Sequence, residues 1–149
     1  MTSEDNLTSE PDEIINSLMK MMTESKLGIR FRGFSNDEVQ TVMKAQQVRK
    51  LPSLFETYLK HMGHDGVNKL FVGSDFSFNS MLIDKEILLS NVEDCNTYLD
   101  KTIELPENIF VFMSHQGHSH IFFISDGQNN DPSVYRYSES NHSITEIYK

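Results

Sequence analysis

Cysteine is nearly absent from this 149-residue chain, and tryptophan is missing altogether. The single Cys95 cannot close an internal disulfide, so a reducing compartment is the economical expectation. Long hydrophobic runs are lacking too, and no apolar stretch approaches the ~20 residues that a membrane-spanning helix needs. The first residues, Met1-Thr-Ser-Glu-Asp-Asn6, are polar and acidic, the opposite of a signal peptide's basic and then apolar start. Together these features predict a cytoplasmic protein without a membrane partner. Positive charge is scarce as well, with 13 Lys and Arg against 22 Asp and Glu and a net charge of −9. A non-specific nucleic-acid binder normally carries the reverse sign, so direct contact with nucleic acid is not expected.

What charge there is lies unevenly. Residues 1–27 carry −4, residues 28–52 carry +3 through Arg30, Arg32, Lys44, Arg49 and Lys50, and residues 53–149 carry −8. An acidic surface of this kind keeps a protein soluble, and it also steers a basic partner toward it.

The length suits one domain with one core, preceded by a disordered tail: residues 1–9 as tail and 10–149 as domain. Pro11 in a first turn and Ile14, Ile15, Leu18, Met19 and Met22 at helical spacing predict a helix from Pro11 to Glu24. Lys26 to Gly33 reads as a linker whose Ile29/Phe31 alternation allows a short strand. Ser35 with Glu38 three residues later fits a capping box, and Val39, Val42, Met43 and Gln46 continue it as a second helix. Leu51-Pro52-Ser53 opens a third helix, striped by Leu54, Phe55, Tyr58, Leu59 and Met62 and closed by Gly63. Between Leu70 and Asp84, three short apolar runs separated by Gly73 and Asn79 predict strands. Leu88, Val92, Cys95 and Leu99 then mark a fourth helix over Asp84–Tyr98. From Phe110 to Tyr137, three apolar runs separated by polar turns predict an antiparallel meander, and a last strand is expected over Ser143–Tyr148. Helices first and strands later argue for an α+β fold: a mostly antiparallel sheet with helices packed on one side.

Two segments carry a resemblance. Lys50-Leu-Pro-Ser-Leu-Phe-Glu-Thr-Tyr-Leu59 is similar to the leucine-proline helix of the SUKH superfamily, the Smi/Knr-like proteins. Ile109-Phe-Val-Phe112, Ile121-Phe-Phe-Ile-Ser-Asp126 and Asp131-Pro-Ser-Val-Tyr-Arg-Tyr137 resemble that superfamily's C-terminal strands. The likeness covers about residues 10–140. It implies a non-enzymatic α+β binding domain without a cofactor. Bacterial members of the superfamily act as immunity proteins that neutralise a toxin, often a nuclease or deaminase, and fungal relatives serve as regulatory scaffolds. Where relatives show a glycine-and-aspartate turn, this chain has Ser114-His-Gln-Gly-His-Ser-His120.

Candidate chemistry is sparse. His115, His118 and His120 form H-x-x-H-x-H, and three converging imidazoles would suit zinc. The plainer reading is a polar turn with solvated histidines, and no metal is expected there. His61 and His64 flank Gly63, where histidines commonly meet the last carbonyls of a helix. Cys95, beside Glu93 and Asp94 on a predicted apolar stripe, reads as an inert small hydrophobe. No phosphate loop, dinucleotide fingerprint or nucleophile elbow is present, and the resemblance implies a protein without enzymatic activity. The acids read better as a surface for a basic toxin groove. That contact is expected from Asp75, Asp84, Glu104, Glu107, Asp126 and Asp131, with Phe76, Phe78 and Tyr135 as aromatic anchors.

Overall fold

The computed structural model describes residues 10–149, and the expected N-terminal tail lies outside the described residues. Helix α1 runs Glu10–Glu24, with Glu10, Asp12 and Glu13 in its first turn facing the positive end of the helix dipole. Helix α2, Asn36–Ala45, opens with the expected capping box. There the Glu38 N–H donates to Ser35 Oγ at 3.1 Å, and the Ser35 N–H donates to Glu38 Oε1 at 3.0 Å. Helix α3, Ser53–Met62, starts after Pro52. It ends on Gly63 in the right-handed region (φ −64), so left-handed freedom is not what the glycine supplies. A Cβ there would stand 2.7 Å from the Phe34 ring and from the Leu59 carbonyl oxygen. Close packing requires the glycine.

The stretch from Leu70 to Asp84 departs from the expected strands. A 3-10 turn covers Val67–Leu70, strand β1 is only Ser74–Asp75, and Phe78–Met81 form a one-turn helix α4. Ser77 and Ser80 cap one another's backbone there, closing a helical turn that apolar alternation alone would read as extended. The Ile29/Phe31 segment likewise makes no strand, only an isolated bridge between Arg32 and Asp65.

Helix α5 spans Asp84–Tyr98, as expected. Strands β2 (Ile109–His115), β3 (Ser119–Ile124), β4 (Val134–Ser138) and β5 (Ser143–Tyr148) follow. All neighbours pair antiparallel in the order β1-β2-β3-β4-β5. The α+β class and the C-terminal meander stand as expected, but the helices cover both sides of the sheet and not one, α1–α3 on one face and α5 on the other.

Alternation along β2 and β3 divides the core between two faces. Phe110, Met113 and Phe123 pack with α1, α2 and α3 on one face, around Phe55. Phe55 meets Phe110, Phe112 and Phe123 at centroid distances of 5.4, 5.6 and 5.2 Å. On the other face, Ile109, Val111, Phe122 and Tyr137 pack with Leu88 and Val92 of α5. A bulge at Phe112 lets β2 serve both faces. Among the described residues, no helix is long and apolar enough to cross a membrane.

Candidate functional site

The nine residues expected at a partner contact do not form one surface. Phe76 is 8% exposed and stacks on Tyr58 at 5.5 Å, so it anchors the core and not a partner. Asp84 is 1% exposed, because α5 begins directly against β2, where Ser114 Oγ donates to its Oδ1 at 3.2 Å. Burial, with Asp75 adding to it, raises the Asp84 carboxyl to about 7 against the bonds from Ser114 and Ser80. Phe78 is half-buried on Phe34 at 5.3 Å, and Tyr135 is half-buried on Phe122 at 5.7 Å. Asp75 is exposed beside the β2–β3 turn. Asp126 and Asp131 are exposed at the opposite end of the sheet, in the β3–β4 loop. There the Gln128 and Asn129 N–H groups donate to Asp126 Oδ1 and hold its carboxyl below the usual carboxylate range. Glu104 and Glu107 are exposed in the α5–β2 connection.

The histidines do not converge. His115 is exposed with Nδ1 3.1 Å from Ser74 Oγ, and His118 is exposed with Nδ1 3.8 Å from Glu139. Strand β3 begins only at Ser119, so His118 stays in the turn while His120 turns under α5. There it is fully buried and stacked on Tyr137 at 6.4 Å. Asn91 donates from Nδ2 to its Nε2 at 3.1 Å, and burial lowers its pKa. Among the described residues, no group of three or more His, Cys, Asp and Glu is arranged to hold a metal ion. His61 and His64 reach across to other helices instead of capping their own. His61 Nε2 lies 3.3 Å from Asp12 Oδ1 and His64 Nε2 2.6 Å from Glu38 Oε2. Cys95 is half-buried.

A different set of polar residues builds a usable surface. Asn96 of α5 grips the backbone of Ile103: its Nδ2 donates to the Ile103 carbonyl and its Oδ1 accepts the Ile103 N–H, both at 2.8 Å. His142, 1% exposed, donates from Nε2 to the same Oδ1 at 2.8 Å. Its Nδ1 accepts the Tyr137 hydroxyl, also at 2.8 Å. Eleven positions earlier on α5, buried Lys85 donates from Nζ to the carbonyls of Gln46 and Glu107, at 2.5 and 2.9 Å. The connection from Ile103 to Glu107 is thus fastened to α5 at both ends.

Between this connection and α5 lies a groove of two hollows of about 370 and 460 Å³, and a third of about 430 Å³ adjoins it between α5 and the end of α2; all three share Leu89. Val92, Ile103 and Leu105 give it an apolar floor, and Leu89 is 44% exposed within it. Glu93 stands on the helical wall, Glu104 and Glu107 stand on the other, and Glu86 lines the third hollow with Leu89 and Glu93. All four are exposed. Lys85, the one base among the lining residues, spends its ammonium on the two carbonyls. An apolar strip between carboxylate rows binds by desolvating a partner's apolar side chain while pairing its cations.

Comparison with protein-family models, with curated proteins and with solved structures returned no match. The site therefore rests on its own chemistry. Two of the expected contacts, Glu104 and Glu107, fall on the groove. Glu86, Leu89 and Glu93 were missed, although their i, i+3, i+7 spacing gives α5 a second, mixed stripe beside that of Leu88 and Val92.

Proposed function

We propose that the chain is a non-enzymatic binding protein that occupies a basic surface of a protein partner by stoichiometric docking. The observation that carries this reading is the apolar groove with exposed glutamates on both walls. The resemblance to Smi/Knr-like immunity proteins narrows the partner to a cognate toxin domain of nuclease or deaminase type. Such toxins need a basic groove for nucleic acid, and an acidic protein in that groove excludes the substrate without performing a reaction. The role needs no cofactor and suits a cytoplasmic protein that meets its toxin inside the cell.

The test is co-expression with the product of the neighbouring gene, followed by purification. A 1:1 complex that protects the host and weakens with rising salt supports the reading, because exposed charge pairs are screened over ~10 Å at 0.1 M salt. Host death despite full expression, or a complex indifferent to salt, removes it.

A further inference from the structure

Resting on that reading for the sign of the partner's charge, we infer that the α5 groove receives a basic amphipathic helix of the partner. The helix carries one aliphatic side chain over Leu89, between cations one turn or more to either side.

The groove's dimensions set this occupant. Glu86 and Glu93 are seven positions apart on α5, two turns or ~10.5 Å of helix axis. Leu89 lies between them and is the residue all three hollows share. A partner helix with cations at i and i+7 and a leucine or isoleucine at i+3 or i+4 presents the same spacing in complementary chemistry. The opposite wall repeats the alternation in extended form: Ile103 and Leu105 are half-buried, while Glu104 and Glu107 face solvent. A cation row on the second flank of the same helix meets these two. The other exposed acids do not provide this combination. Asp126 bonds the backbone of its own turn, and Asp75 pairs with Ser114 on the edge strand and lines none of the three hollows.

The groove is also built before any partner arrives. Ile103 is held by Asn96 and, through it, by His142 and Tyr137, and the Glu107 carbonyl is held by Lys85. Binding then orders few new backbone torsions, which is where a flexible loop would lose affinity. Asn96 and His142 are positioning residues here, since neither needs to touch the partner helix.

The experiment uses the isotopically labelled full chain and a helical peptide of about 18 leucines and lysines in amphipathic order. At low salt, amide shifts are expected at Leu89, Glu93, Ile103 and Leu105. This map uses the wild-type chain and decides the location without any variant. By fluorescence anisotropy, E86K/E93K is expected to weaken the peptide about tenfold and L89A about fivefold. E10K/E13K changes net charge equally on α1, against the other face of the sheet, and is expected to stay within about twofold. Shifts confined to other surfaces, or equal losses in both charge-reversed pairs, would overturn the inference in favour of bulk charge alone. The two readings fail differently. A toxin neutralised unchanged by E86K/E93K removes the groove as its docking site and leaves the immunity reading. Peptide binding in the groove without any toxin complex does the reverse.

Discussion

The face of the sheet under α1–α3 and the face under α5 are both buried, yet different chemistry holds them. The first is an aromatic jigsaw in which Phe55, Phe110, Phe112, Phe123, Tyr58 and Phe76 meet at ring distances of 5.2–5.8 Å. The second has fewer large side chains and many directed bonds, from Asn91, Asn96, Asp84, Lys85 and His142. Apolar burial is non-directional and scales with area, and it supplies most of the stability. Hydrogen bonds add little net energy but fix position, because an unmade buried bond is costly. The aromatic face keeps the protein folded, and the polar face keeps the groove in shape.

The largest effect should come from the aromatic face. Phe110→Ala removes a fully buried ring packed on Phe55 and Phe123 and is expected to cost about 4 kcal/mol in urea unfolding. A loss below 1 kcal/mol would erase the distinction between the faces. Gln46→Leu keeps the bulk but strands the Val111 N–H, the Val111 carbonyl and the Met81 carbonyl, which the amide serves at 2.6, 2.6 and 2.9 Å. A cost of about 3 kcal/mol is expected, together with faster hydrogen exchange at the Val111 amide. Asn96→Ala should cost less, about 1–2 kcal/mol. Its signature is local: the Ile103 amide loses protection while those of β3 keep theirs. Global loosening instead would mean that the clamp supports the whole fold and not the groove wall.

The last comparison is one of slope. In the fold Asp84 holds its proton until about pH 7, whereas an unfolded aspartate releases it near 3.8. Between those values the native state binds more protons than the unfolded chain, so stability falls as pH rises through this window. Asp84→Asn is expected to flatten that fall and to leave stability below pH 4 little changed. An unaltered slope would show that other groups set it.

Much of this architecture was legible because long elements announce themselves. The Ser35–Glu38 box and the Leu88/Val92 stripe specify their helices locally, and the β2–β4 meander alternates between turn residues. The Leu70–Asp84 stretch was not legible, since its elements are two to four residues long and serine side chains decide them. The polar interior was half visible. Gln46 continues the stripe of Val39, Val42 and Met43, and His120 shares a strand face with Phe122, so both positions marked burial for residues usually found outside. His142 gave no such signal. Its place depends on a left-handed turn residue (φ 45) and on partners 5 and 46 positions away. The groove was partly visible for a related reason: Glu104 and Glu107 are plain acids in a loop, but their facing wall exists only once α5 crosses the sheet.

Gln46 has a further consequence for the protein in a crowded solution. Strand β1 covers only Ser114 and His115 of β2, so the outward N–H and carbonyl of buried Val111 need another partner. Because the Gln46 amide pairs with both the N–H and the carbonyl of Val111, it acts as a single-residue strand that cannot be extended. A sheet that ends this way resists edge-to-edge polymerisation on that side without a charge or a proline on the edge.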